Sequence, residues 1–142
     1  MFMKVPRLLL TVLILVLGSL TARADIVPVV SIKSGVTTLT KNEIVDIFLR
    51  KRFRFPDGQT AEPIDQAEGS AAREQFYNQY AELAPAQLKA FWAKIIFTGR
   101  GQPPRSVAGG KEARKLVAAD PNAITYLDSS LVDGTIKVVN VH

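Results

Sequence analysis

Few side chains in this sequence are suited to chemistry, and their positions narrow which chemistry is open to them. His142 is the single histidine and the last residue. A chain end is expected to fray, so a histidine-based triad or histidine-rich metal site has no ordered member. There is no cysteine, which excludes a thiolate metal site, a cysteine nucleophile and a disulfide scaffold. Asp65 and Glu68 are close enough in sequence to form an acid–base pair, but carboxylates ahead of a helix commonly cap it. Neither an H-E-x-x-H pattern nor an EF-hand loop occurs, and Arg100-Gly101-Gln102 and Gly109-Gly110-Lys111 do not fit the G-x-x-x-x-G-K-[ST] phosphate loop. The expectation is a protein that is not an enzyme and has no metal or cofactor.

Two clusters remain. At Gly69-Ser70 a strand leads in and a helix leaves, so free backbone N–H groups and the positive helix end would face an anion there. Ser70 is equally readable as a plain N-cap. Gly69, Ser70 and Ala71 are the candidate backbone donors, and Arg73, one turn in, could assist an anion or pair with a neighbouring acid. The second cluster, Lys51-Arg52-Phe53-Arg54, interleaves cations with aromatics. One reading packs Phe53 and Phe55 inward and leaves the basic heads in water; the other makes the cluster a contact surface for an anionic partner.

The elements that would hold these residues follow from periodicity. Ile26 to Ile32 is a β-branched run of strand length, and Pro28 suggests a sheet edge or strand start. Thr40 and Glu43 form a capping-box pattern ahead of Ile44, Ile47 and Phe48, which predicts a helix to about Leu49. Pro56-Asp57-Gly58 predicts a turn, and Glu62 to Gln66 a short extended stretch. Ala72, Phe76 and Tyr80 mark a second helix to about Leu83. Pro85 opens a third, with Leu88, Phe91, Trp92, Ile95 and Ile96 expected as its buried face. Thr98 to Ser106 reads as a loop and Lys111 to Ala119 as a fourth helix stopped at Asp120-Pro121. Ala123 to Leu127 and Ile136 to Val141 read as strands. The order predicts a small α/β domain with a mixed sheet flanked by about four helices.

Of the 142 residues, Met1 to Ala24 reads as a secretory signal peptide. Lys4 and Arg7 precede the apolar run Leu8 to Leu20, and Ala22-Arg23-Ala24 matches the A-x-A cleavage pattern. The run is 13 residues, short of the roughly 20 needed to span a bilayer as a helix. Cleavage after Ala24 would leave 118 residues with 15 basic and 13 acidic side chains, which reduces the formal charge from +5 to +2. Export and near-neutrality argue against nucleic-acid binding. Residues 25–142 are then one periplasmic domain, large enough for a single core.

Several pieces together resemble the phosphate-binding proteins of ABC transporters: Thr40 to Leu49, Phe55-Pro56-Asp57-Gly58, Pro63-Ile64-Asp65, the helix opened at Gly69-Ser70, Phe91-Trp92, Phe97-Thr98-Gly99, and Asp120-Pro121-Asn122-Ala123-Ile124-Thr125-Tyr126. The resemblance implies the type 2 periplasmic-binding fold, cut to a single lobe because 118 residues cannot supply the two lobes of full-length members. It also implies an exported solute-binding-like protein, with phosphate or another oxyanion as ligand and a membrane transporter or sensor as partner. The family's anion loop reads Arg, three residues, then Ser-Gly-Thr; set on Ser70, it places Gln66, Ala71 and Ala72 where Arg, Gly and Thr belong. Loss of two charge-assisted or hydroxyl donors would weaken an anion site by about 3 to 6 kcal/mol. The resemblance therefore implies weak oxyanion binding, or a periplasmic adaptor that has kept the lobe as a protein-interaction surface.

Overall fold

The structure is a computed structural model and describes residues 25–142; the expected signal peptide lies outside the described residues. A five-stranded sheet is built from β1 (Ile26–Ser31), β3 (Glu62–Gln66), β4 (Arg105–Val107), β5 (Ala123–Asp128) and β6 (Ile136–Val138), in the order β4-β3-β5-β1-β6. β3 runs parallel to β4 and β5, whereas β1 is antiparallel to β5 and β6. The sheet is mixed, as expected. Two short strands, β2 (Thr38–Leu39) and β7 (Asn140–Val141), pair in parallel beside it.

The helices among the described residues are α1 (Lys41–Phe48), α2 (Ala71–Ala81), α3 (Pro85–Phe97) and α4 (Gly110–Ala119). α1 starts where the capping box places it. The Glu43 N–H donates to Thr40 Oγ1 at 3.1 Å, and the Thr40 N–H donates to Glu43 Oε1 at 2.9 Å. Each exchanged bond satisfies a donor the helix start would otherwise orphan.

Strand alternation divides the core between two faces. Val30, Ile124 and Tyr126 face α1, α2 and α3, while Val29, Ala123 and Leu127 face α4. β1 and β5 are buried on both sides, which is why their sequences read as apolar runs without polar alternation.

Four expectations are corrected. β1 is an interior strand, not an edge; Pro28 is tolerated because pairing with β6 begins only at Val29, and the Pro28 carbonyl still accepts from the Val139 N–H at 2.9 Å. The stretch 98–106 is not wholly loop, since Arg105–Val107 adds a strand beside β3. His142 is held rather than frayed. Its N–H donates to the Leu39 carbonyl at 3.2 Å, and its Nδ1 sits 2.9 Å from Thr38 Oγ1. The face of α3 is narrower than its periodicity suggests: Leu88 and Trp92 are buried, but Ile96 is 49% and Phe97 91% exposed.

Candidate functional site

The junction between β3 and α2 is built by a tight turn. Ser70 N–H donates to the Ala67 carbonyl at 3.1 Å, and Gly69 takes φ +88°. A left-handed third turn residue is a type II requirement that glycine meets without strain. A Cβ at Gly69 would meet nothing within 4 Å, so the backbone here is open to approach. Ser70 then caps α2, its hydroxyl accepting from the Arg73 N–H at 3.2 Å. The N-cap reading of Ser70 is therefore correct in geometry, and its own N–H is already used. Gly69, Ala71 and Ala72 are left to offer backbone donors at the positive end of the helix.

The side chains expected to help are turned to other work. Gln66 is 3% exposed and faces inward, its Nε2 donating to the Tyr126 carbonyl at 2.8 Å; it is not placed as a side-chain ligand. Arg73 lies over the Tyr77 ring at 5.5 Å, with its Nε 3.6 Å from Asp65 Oδ1. That Nε is buried and makes no hydrogen bond of good geometry.

Beneath the junction lies a polar cluster that sequence reasoning missed. Asp65 is 3% exposed, so its carboxylate must be satisfied inside the protein. It accepts from Tyr77 Oη at 2.6 Å and from the Gln66 N–H at 2.8 Å, and the Tyr126 hydroxyl also donates to it. Burial, then the Asp65 charge, pushes the Tyr77 and Tyr126 hydroxyls far above the usual phenol range. The Tyr126 ring stacks on Phe76 with centroids 4.0 Å apart. The cluster thus ties β3, α2 and β5 together. Asp65 is neither a helix cap nor half of an acid–base pair with Glu68; its lone pairs are occupied by fixed donors and it cannot reach a substrate. The available signal was a carboxylate following Pro63-Ile64 inside a strand, but its partners lie 12 and 61 residues away.

Beside the junction is a shallow depression of about 300 Å³ bordered by Glu68, Arg73, Lys89 and Trp92. Arg73 and Lys89 stand there against Glu68 and, behind Arg73, the buried Asp65, so the charges nearly balance. A separate cavity against Gly69, Arg73 and Tyr77 holds about 10 Å³, room for one water at most. The small cavity is therefore too small for an anion, and the space beside the junction is open to solvent.

The basic cluster is divided. Phe55 packs into the core at 3% exposure, but Phe53 is 57% exposed, which corrects the expectation that both turn inward. Arg52 pairs with Glu43 at 3.3 Å.

Solved structures share the fold that holds these residues. The chain is similar in structure to a candidate phosphate ABC transporter substrate-binding protein from Clostridium perfringens, solved with bound phosphate, at TM-score 0.66 and 21% identity over 82% of this chain and 44% of that one. It is similar also to an ABC-type phosphate transport receptor from Vibrio cholerae, at 0.64 and 16% over 82% and 45%, and to PstS from Borrelia burgdorferi, at 0.63 and 10% over 82% and 47%. No protein-family model and no curated protein sequence matches the chain. The fold is a single lobe of the periplasmic-binding type, and the chain spans less than half the length of these structures. These neighbours are binding proteins rather than enzymes.

Proposed function

We propose that the protein is an exported, periplasmic solute-binding-like lobe that binds phosphate or a similar oxyanion weakly at the start of α2. The observation that carries this reading is the open turn at Gly69 at the positive end of the capped helix α2, with the depression bordered by Glu68, Arg73 and Lys89 beside it. Backbone donors at Gly69, Ala71 and Ala72, with the charge of Lys89, would supply the contacts, and Arg73 adds little because Asp65 already opposes its charge. Binding is weak because Gln66 is committed inward, the Ser70 N–H and hydroxyl are spent on turn and cap, and Glu68 opposes the anion. A single lobe also leaves the ligand in water, where salt screens it. The whole binding cycle of a two-lobed receptor, and delivery to a membrane transporter, would need a second body.

The alternative is a periplasmic adaptor that keeps the lobe for contact with another protein, such as a transporter or sensor. It draws support from the spent side-chain donors and from the exposed Phe53 and Phe97. Calorimetric titration with phosphate, sulfate and acetate at low ionic strength separates the two. Saturable heat that disappears at high salt supports the first reading, and no heat from any of the three favours the second.

A further inference from the structure

A groove of about 400 Å³ lies between the chain leaving α1, the face of α3 and the chain leaving α3. Its floor is aromatic, with Phe91 and the buried Trp92, and its rim carries Phe53, Arg50, Lys51 and Arg100. No acidic residue lines it, and none of the three cations joins an ion pair among the described residues. The volume falls in the range of small-molecule sites.

Backbone geometry brings the cations together. α1 ends with the Arg50 N–H on the Ile47 carbonyl at 3.2 Å and the Lys51 N–H on the Asp46 carbonyl at 2.8 Å. α3 ends the same way, Gly99 N–H to Ile96 at 3.1 Å and Arg100 N–H to Ile95 at 3.1 Å. Both are Schellman ends, which place a left-handed residue just past the helix. α3 uses Gly99 at φ +67°, but α1 uses Arg50 at φ +58°, a conformation that costs a side chain energy glycine would not lose. Cations near helix C-termini are ordinary. Here three full charges face two helix ends worth about half a charge each, leaving roughly two positive charges unneutralised.

Two of the cations lie close to aromatic rings. Arg50 lies 4.9 Å from the Phe53 ring centre and Lys51 5.9 Å from that of Phe91. The Trp92 indole Nε1 is buried and has no hydrogen-bond partner, an unsatisfied donor of a kind that folded proteins rarely leave.

We infer that this groove is a binding site for a small organic anion, an aromatic ring bearing a carboxylate or phosphate, held by ring contacts to Phe91 and Trp92 and by charge contacts to Arg50, Lys51 and Arg100. Its three cations are not those of the oxyanion junction, although Trp92 borders both depressions, and the inference does not depend on the proposed oxyanion site. A partner protein presenting an acidic residue beside an aromatic one would match the same chemistry, but the volume favours the small molecule.

The test titrates the purified protein with phenyl phosphate and phenylacetate, by calorimetry and by the emission of Trp92, the only tryptophan. Inorganic phosphate and benzyl alcohol serve as comparison probes. Both aryl anions should bind saturably, more tightly than either comparison probe, and Arg100→Gln should weaken them about tenfold, the loss of one charge-assisted contact. Arg50→Gly should weaken them similarly without lowering the melting temperature, because glycine relieves the left-handed strain. Neither change should alter inorganic phosphate binding, and Ser70→Ala should leave aryl-anion binding intact. Absence of saturable aryl-anion binding, or equal affinity for benzyl alcohol, would overturn the inference. So would unchanged affinity in Arg100→Gln, an exposed position where folding is not at issue.

Discussion

The cluster under α2 and the groove beside α3 use similar residue types to opposite ends. Under α2, Asp65 sits among Tyr77, Tyr126, Gln66 and Arg73, nearly every polar atom matched to another and only Arg73 reaching toward the surface. Beside α3, Arg50, Lys51 and Arg100 stand around aromatic rings with no counter-charge. A matched buried network holds elements in place, because removing one member strands the rest. An unmatched set of charges at an open groove contributes little to folding and is available to a ligand. The difference teaches that polarity alone does not mark a functional site; leftover bonding capacity does.

The sharpest way to break this comparison is Asp65→Ala. It strands two phenols in the interior and leaves the half-buried Arg73 without its counter-charge, and is expected to cost about 3 to 5 kcal/mol in denaturant unfolding. A loss under 1 kcal/mol would show that the cluster does not brace the fold. Trp92→Ala should cost about 3 to 5 kcal/mol if the indole is part of the core as its 6% exposure indicates. Tyr126→Phe keeps the stacking on Phe76 and removes one hydrogen bond to a carboxylate, for about 1.5 to 3 kcal/mol. Replacement of the exposed Phe97 by Ser should stay within about 0.5 kcal/mol, as should Arg100→Gln in the groove.

Alkaline titration sharpens the same contrast without mutation. Tyr77 and Tyr126 keep their protons in the folded protein because burial and Asp65 raise both, whereas unfolded tyrosine ionises near pH 10. Their contribution is fully present below that pH and is lost as pH rises above it. Each phenol should remove about 1.4 kcal/mol per pH unit there. Tyr126→Phe should show the shallower slope, and an unchanged slope would contradict the burial of that hydroxyl.

Much of the fold was legible because local signals coincided with tertiary ones. The capping box at Thr40 and Glu43 set the start of α1, and Pro85 set the start of α3. The strand at Glu62 to Gln66 fell where expected. The errors came where a residue's fate depends on distant chain. Pro28 looked like an edge residue because the late start of β6 pairing is not written near it, and Ile96 followed a helical period that has no partner element to bury it. At the candidate site, the turn and cap at Gly69 and Ser70 were readable from local sequence. The inward commitment of Gln66 was not, since its acceptor is Tyr126, 60 residues on. Its consequence is concrete: an arginine at position 66 would start from the buried position where the Gln66 amide now meets the Tyr126 carbonyl, not from an open face.

Whether the start of α2 receives an oxyanion is decided by following backbone amide NMR signals during a phosphate titration at low salt. Saturable shifts are expected at Gly69, Ala71 and Ala72, in the millimolar range and diminished by added sodium chloride, with the signals of β6 unmoved. Phosphate that shifts none of these amides, or shifts them no more than an equal ionic strength of chloride does, would contradict the proposed site.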